Sequence, residues 1–337
     1  MWFGKLARFG FFLFVITAQL AQAQVFKIAT ISPDGSAWMK AMRAAGKEIA
    51  EATESRVKLK FYPGGVMGDD KAVLRKMRFG QLQGAAIASS ALTNQYTDVQ
   101  LYGMPMLFDG YDEVDYVRER MDPVIAEGLE AAGFVVLGFA EVGFAHAMAK
   151  APIRSVSDAR ERKVWIPDND PGAAAAIQAF GITPIPLTVA DVLPSLQTGL
   201  IDAVAVPPVG AVALQWHTQL KYLSDLPLLY IYGFFTLNSK QFGKLAGSDQ
   251  VLVRKTIGAA LQSVNSATRI DQKSAIDALL NQGIQKQTPS AAEISEWKTL
   301  ARAARQRMLA EGTVTASGFA AVNAYLEEFR NAPRTQP

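Results

Sequence analysis

The sequence contains no cysteine and only two histidines among its 337 residues. Structural disulfides, a lipid anchor on an amino-terminal cysteine and a cysteine nucleophile are therefore excluded. The histidines, His146 and His217, show no H-E-x-x-H or similar spacing, so no zinc site is indicated. A lone histidine is more often structural than catalytic. The sequence predicts neither a metal nor any other cofactor.

An excess of charge is also lacking, since 34 Lys and Arg face 31 Asp and Glu, for a formal net charge of +3. A protein that binds nucleic acid needs a strongly basic face, so nucleic acid is not an expected partner. The chain is 50% hydrophobic and 19% charged, which is typical of globular proteins with a sizeable core. Its length indicates roughly two domains.

Residues 1–23 have the pattern of a signal peptide. Lys5 and Arg8 precede the apolar run from Phe11 to Ile16, and Ala21-Gln-Ala23 is a typical cleavage site. A membrane anchor is the alternative, but the run is shorter than the roughly 20 residues that span a bilayer. Removing Lys5 and Arg8 lowers the formal charge from +3 to +1. The sequence therefore predicts an exported protein.

The stretch from Asp158 to Pro208 has the pattern strand, helix, strand, helix, strand. Proline or glycine ends several of these segments, as at Pro167, Gly181 and Gly199. Strands that alternate with helices predict a parallel sheet, and ligands bind at the carboxyl ends of such strands. Trp165 and Val206 are therefore candidate site residues.

Hydrophobic periodicity predicts the remaining elements. Strands are expected at 26–31, 57–62, 85–89 and 134–139, and a strand pair at 226–237. Helices are expected from near Ser36 and at 111–132, 210–220, 248–282, 291–312 and 317–329.

Several motifs resemble one family. The order D-x(4)-K-V-W-I-P, then P-x-P, then L-Q-x-G-x-I-D is similar to the substrate-binding proteins of TRAP transporters, the DctP-like family. Tyr62-Pro63, Met67-Gly-Asp-Asp70, Gly80-Gln-Leu82 and Met104-Pro-Met-Leu-Phe108 extend the resemblance, which covers residues 26–329. It implies an α/β, two-lobe periplasmic-binding-protein fold with a central ligand cleft and a long helix that spans both lobes. The implied first lobe is 24–143 plus 232–272, and the second is 144–231 plus 273–337.

The resemblance also implies site residues. Trp165 stands where the family's carboxylate-binding arginine is expected, Ala145 near a second basic residue of some members, Val206 at an asparagine and Val189 at an aromatic residue. Cleft positions of the family are matched by Ile31, Asp70 and Ser89 in the first lobe and by Trp216 in the second. Glu141 and His146 flank the crossing strand and are expected to supply polar contacts.

The replacement of arginine by Trp165 predicts the ligand class. An arginine–carboxylate fork supplies two hydrogen bonds of roughly 1.5–3 kcal/mol each, whereas tryptophan offers about 150–250 Å² of mostly apolar surface. Pro167 fixes the register, and Lys163 matches the family's own lysine, so neither Arg162 nor Lys163 restores the arginine. We expect a neutral, cationic or aromatic ligand that stacks on Trp165. The alternative is that Trp165 only fills the cleft.

The leading hypothesis is a periplasmic solute-binding protein that delivers a small molecule to a TRAP-type membrane permease and catalyses no reaction. A sensor or accessory protein that keeps the fold but not transport is the second hypothesis. A hydrolase that uses Glu141 or the aspartates Asp168 and Asp170 is the third. Capping of the following helix is the simpler role for Asp170, which precedes Pro171.

Overall fold

Strands and helices alternate through much of the chain in the computed structural model, which describes residues 23–168 and 170–332. The predicted signal peptide lies outside the described residues except for Ala23, and so does Asn169. The strands in the described part are β1 (Gln24–Thr30), β2 (Val57–Tyr62), β3 (Gly84–Ala88), β4 (Phe134–Ala149), β5 (Val164–Pro167), β6 (Pro184–Leu187), β7 (Ala203–Val206), β8 (Tyr222–Asn238) and β9 (Gln285–Gln287).

The helices begin at side-chain caps in many cases, such as Ser36, Asp69, Asp170 and Ser290. They are α1 (Ala37–Ala52), α2 (Asp70–Arg78), α3 (Tyr111–Ala131), α4 (Val156–Arg160), α5 (Pro171–Ala179), α6 (Val189–Thr198), α7 (Pro208–Ala213), α8 (Ser239–Phe242), α9 (Gly247–Asn281), α10 (Ala291–Ala310) and α11 (Ala316–Asn331). Short 3₁₀ helices cover Ser89–Leu92, Thr97–Gly103 and Trp216–Gln219.

The strands follow the order β2-β1-β3-β8-β4-β7-β5-β6, with β9 paired to β8. The predicted alternation from Asp158 to Pro208 is confirmed as β5, α5, β6, α6 and β7. Its parallel pairing is confirmed for β5 with β6 and with β7, whereas β4 runs antiparallel to β7. Strands β4 and β8 continue through both lobes and join the strands of both into one sheet.

The crossing strands β4 and β8 are long because both lobes use them. The 17 residues of β8 extend about 55 Å at the usual rise of a strand. A strand pair was predicted at 226–237, and this prediction is wrong, because Pro227 and Gly233 lie within a single strand. The predicted helix at 210–220 is also wrong in part. Gln215 has a φ of 59°, which ends the helical segment before Trp216.

Helix α9 spans both lobes, as expected. Its Val253 and Leu261 pack in a core of the first lobe together with Phe26 of β1. Near its other end, Leu279 packs in a core of the second lobe together with Trp165. The 35 residues of α9 are about 52 Å long at the helical rise. This length lets one helix contact both lobes.

The predicted lobe boundaries stay a prediction. Helix α11 lies within the range 273–337 that was predicted to belong to the second lobe, yet its Val322 and Leu326 pack in the same core as Val117 and Met121 of α3. This contact favours assigning α11 to the first lobe, although the boundary at 273–337 placed it in the second.

The crossing strand β4 is irregular where it passes between the lobes. The register with β8 shifts between Glu141 and Gly143, and Gly143 has a φ of 109°, a conformation that favours glycine. Helix α9 contacts this segment through Asn265, which donates to the carbonyl of Phe139 at 2.8 Å. Two turns further along α9, the side chain of Gln272 donates to Val142 O. The segment from Glu141 to Gly143 is therefore the place where the strand can bend.

Candidate functional site

Trp165 is the second of the four residues of β5 and belongs to the apolar core of the second lobe. Its side chain is 8% exposed. The indole Nε1 donates a hydrogen bond to the carbonyl of Leu187 at 3.0 Å. Its ring meets Trp216 edge to face, with 5.1 Å between the centroids and 77° between the planes. The polar edge of Trp165 is thus already bonded within the second lobe.

Val206 and Val189 join the same apolar cluster, which is centred on Trp165 and Trp216. We call these four residues the tryptophan wall. Val206 is buried, whereas Val189, the first residue of α6, is half-buried. None of the four side chains carries a charge.

His146 lies beside the tryptophan wall, because β4 pairs His146 with Val206 of β7. The imidazole is almost fully buried, and its Nδ1 donates to the carbonyl of Ser224 at 3.0 Å. Burial lowers the pKa of His146, which favours the neutral ring. The neighbouring Ala145 is fully buried and offers no polar side chain.

The first lobe contributes a rim of Ile31, Asp70 and Ser89. Ile31 follows β1 and is 41% exposed, while Ser89 follows β3. Ile31 and Asp70 line a cavity of about 10 Å³ that also touches Thr30. The carboxyl ends of β1 and β3 meet at this rim, as expected for parallel neighbours.

The carboxylate of Asp70 is partly buried at this rim. Burial raises its pKa to about 6, and the charges of Asp69 and Asp168 also raise it, while a hydrogen bond from the backbone N–H of Ala88 acts in the opposite direction. Asp168 directly follows β5 of the second lobe. Carboxylates of both lobes therefore interact across the space between them.

Replacing Asp70 by asparagine is expected to change how stability depends on pH. The pKa of Asp70 is about 6 in the folded protein and ordinarily about 3.8. Between these values the native state binds more protons than the unfolded state, so this group destabilises the fold progressively as pH rises. The Tm of Asp70→Asn minus that of the wild type should therefore increase from pH 4 to pH 7. A difference that stays constant over this range would contradict the assignment.

Glu141 lies in a buried ion-pair cluster on the crossing strand. Its side chain is fully buried, and its carboxylate accepts from Arg269 Nε at 2.7 Å and from Tyr230 Oη at 2.7 Å. Arg118 approaches to 3.6 Å, and Asp115 binds the other side of the Arg269 guanidinium at 2.6 Å. A ligand that used Glu141 would have to displace these partners.

Lys163 is the nearest cation before Trp165 in the sequence, but it is engaged elsewhere. It precedes the amino end of β5, and its Nζ donates to the carbonyl of Gly199 at 3.0 Å. Its backbone N–H donates to Asp202 at 2.7 Å. Lys163 therefore does not lie against the tryptophan wall.

The predicted site residues form three groups. The tryptophan wall and His146 lie together in the second lobe, the rim residues lie together in the first, and Glu141 is part of the ion-pair cluster. Their roles in ligand binding stay predictions.

Sequence reasoning missed Gln100, which donates to Asp170 of the second lobe at 3.0 Å. Nothing in its local sequence pattern indicates this contact.

The expected capping role of Asp170 is confirmed, since its carboxylate accepts from the N–H of Ala173 at 2.9 Å. Among residues 23–168 and 170–332, no group of three histidine, aspartate or glutamate side chains is arranged to hold a metal ion. Across the same residues, no helix has the length and apolar character needed to cross a membrane.

The chain is similar to known solute-binding proteins. The family model of the bacterial extracellular solute-binding proteins, family 7 (DctP), matches residues 28–311. The 2,3-diketo-L-gulonate-binding periplasmic protein of Escherichia coli strain K12 is 24% identical over 70% of this chain and 73% of its own length. The C4-dicarboxylate-binding periplasmic protein DctP of Rhodobacter capsulatus is 23% identical over 78% of this chain and 80% of its own.

Solved structures share the fold. The sugar acid binding protein DctPAm from Advenella mimigardefordensis, in complex with galactonate, has a TM-score of 0.84 at 16% identity and covers 90% of this chain and 98% of its own. A TRAP periplasmic solute binding protein from Desulfovibrio salexigens with bound orotic acid has a TM-score of 0.82 at 17% identity. The match covers 91% of this chain and 98% of that protein.

The expected two-lobe fold is therefore confirmed, and the names of these relatives give no support to a sensor or accessory role. The family and these relatives are binding proteins. The chain belongs to family 7 of the bacterial extracellular solute-binding proteins, the DctP family, and is a periplasmic solute-binding protein of the TRAP-transporter type.

Proposed function

We propose that this solute-binding protein carries an uncharged or cationic small molecule, rather than an organic acid, to its TRAP-type permease. The observation that carries the proposal is the bonding of Trp165. Its side chain occupies the position expected for a carboxylate-binding arginine, and its only polar group donates to Leu187 O. The tryptophan wall thus offers a ligand carboxylate no charged partner.

The carboxylates between the lobes support the same ligand class. Burial, and to a smaller extent the negative charges of Asp69 and Asp168, already raise the pKa of Asp70 to about 6. A third negative charge in this space would add repulsion, and burying an anion without a paired charge costs several kcal/mol. Hydroxyl or amine groups on a ligand would instead donate hydrogen bonds to these carboxylates.

The relatives bind acids according to their names, among them 2,3-diketo-L-gulonate and C4-dicarboxylates. They support a small-molecule ligand for this chain and do not support a neutral or aromatic one. The proposal rests on Trp165 and on the carboxylates instead. In this proposal Trp165 fills space in the wall of the second lobe and does not stack on the ligand. Its ring is buried against Trp216 and leaves little exposed surface.

The proposal includes no catalytic step. Glu141, the first carboxylate considered for a hydrolase, is fully buried and accepts from Arg269 and Tyr230. Asp170 caps α5. These bonds support structural roles for the two carboxylates.

Isothermal titration calorimetry with matched sugars tests the ligand class. D-glucose, D-glucosamine and D-glucuronate share a pyranose ring and differ in charge, and succinate, malate and sialic acid represent simple acids. We expect no micromolar binding of any acid, and a wider thermal-shift screen should find its ligands among neutral and cationic compounds. Micromolar binding of one of the acids to the unmutated protein would contradict the proposal.

A further inference from the structure

We infer that Gln100 and Asp170 form a latch between the lobes and thereby help to set the affinity for the ligand. Asp170 is the N-cap of α5 in the second lobe. Gln100 lies in the 3₁₀ helix Thr97–Gly103 of the first lobe and is 5% exposed. The inference rests on the two-lobe fold and does not depend on which ligand is bound.

The latch consists of hydrogen bonds that converge on one carboxylate. Gln100 Nε2 donates to Asp170 Oδ1 at 3.0 Å, and the hydroxyl of Ser90 donates to the same carboxylate. The N–H of Ala173 donates to Asp170 Oδ1 at 2.9 Å. The same carboxylate therefore begins a helix in one lobe and accepts two donors from the other.

Gln100 is itself held in place on the first lobe. Its Nε2 donates to Thr93 Oγ1 at 2.7 Å, and the Thr93 hydroxyl donates to the carbonyl of Ser90 at 2.6 Å. Gln100, Thr93 and Ser90 form one short network, in which the Gln100 carboxamide and the Ser90 hydroxyl donate to Asp170. When the lobes separate, this network loses Asp170, while Asp170 keeps the N–H of Ala173.

Gly172 makes the close approach of the lobes possible. A Cβ atom at this position would lie 2.7 Å from Gln100 Oε1 and 2.9 Å from Gln100 Cδ. Any larger residue would push the Gln100 carboxamide away from Asp170. Behind this contact, Ala175 of α5 packs in the same apolar core as Val99 of the first lobe.

A latch of this kind changes affinity through the closed population. If a ligand binds only the closed form, its apparent Kd equals the Kd of the closed form divided by the fraction of molecules that are closed. Residues that favour closure therefore tighten binding without touching the ligand. Gln100 and Asp170 would act as positioning residues in this sense.

Spin labels can measure the closed population directly, because the chain has no native cysteine. Lys47→Cys in α1 and Glu161→Cys after α4 place labels on exposed positions of the two lobes. In pulsed electron–electron double resonance without ligand, the parent protein should show a closed distance population. Gln100→Glu, which sets two carboxylates against each other, should lower the ratio of closed to open molecules by about tenfold or more.

Two further variants separate the latch from a general loss of folding. Gln83→Glu makes the same change within the first lobe, where Gln83 bonds to Gly80 and Lys27, and should leave the distances unchanged. Gly172→Ala should favour opening without unfolding the protein, because the added Cβ meets the far ends of two flexible side chains, Gln100 at 2.7 Å and Met308 at 3.2 Å. A parent protein that is entirely open without ligand, or distances that Gln100→Glu and Gly172→Ala leave unchanged, would overturn the inference.

Discussion

Replacing Glu141 by glutamine is expected to lower the free energy of unfolding by about 3 kcal/mol, at the lower end of the cost of breaking a buried ion pair. The Glu141 side chain is fully buried and accepts from Arg269 at 2.7 and 2.8 Å and from Tyr230 at 2.7 Å. Removing the negative charge of Glu141 leaves the positive charges of Arg118 and Arg269 only partly neutralised. The loss stays at the lower end because Arg118 keeps Asp122 at 2.9 Å and Arg269 keeps Asp115. Urea unfolding measures the difference.

Asp115→Asn is the matched control. Asp115 also pairs with Arg269, at 2.6 Å, but its side chain is 56% exposed. Exposed ion pairs contribute roughly 0–1 kcal/mol, so this variant should remain close to the wild type. Equal losses for the two variants would show that burial does not determine the strength of this cluster.

Replacing Trp165 by alanine should lower the free energy of unfolding by about 3–5 kcal/mol, the usual loss for a large buried aromatic residue. The change empties the space beside Trp216 and leaves the carbonyl of Leu187 without the indole donor. Trp165→Phe keeps much of the ring volume and loses only that hydrogen bond and part of the packing. Its loss should therefore be clearly smaller.

Phe79→Ala supplies the control for aromatic-to-alanine replacement. Phe79 is 71% exposed, and substitutions at such surface positions usually change stability by less than about 0.5 kcal/mol. Urea unfolding of the three variants and the wild type provides the comparison. If Trp165→Ala were as stable as Phe79→Ala, Trp165 would not be a packed wall of the second lobe.

Local sequence patterns predicted the elements that are complete within a short stretch. The segment from Asp158 to Pro208 carries its own strand alternation and its own stops at Pro167, Gly181 and Gly199, and the structure confirms its five elements. Strand β8 was missed as a single element, because Pro227 and Gly233 weaken the local strand pattern. Its pairing with β4 along nearly its whole length outweighs those two residues.

The contacts around the candidate site depended on residues that are distant in sequence. Glu141 pairs with Arg269, 128 positions away, and Gln100 meets Asp170, 70 positions away. No local pattern could pair them. Pro167 predicted the register of Trp165, but the sequence led us to expect a ring that stacks on a ligand. Its burial against Trp216 became known only from the packing of the lobe.

We propose that the tryptophan wall excludes organic acids from the space between the lobes. The most direct test is mass spectrometry of the small molecules that denaturation releases from protein purified from the periplasm, with a Trp165→Phe sample prepared alongside. We predict that the unmutated protein retains a neutral or cationic compound at close to one molecule per protein molecule. An organic acid retained at that level by the unmutated protein would contradict it.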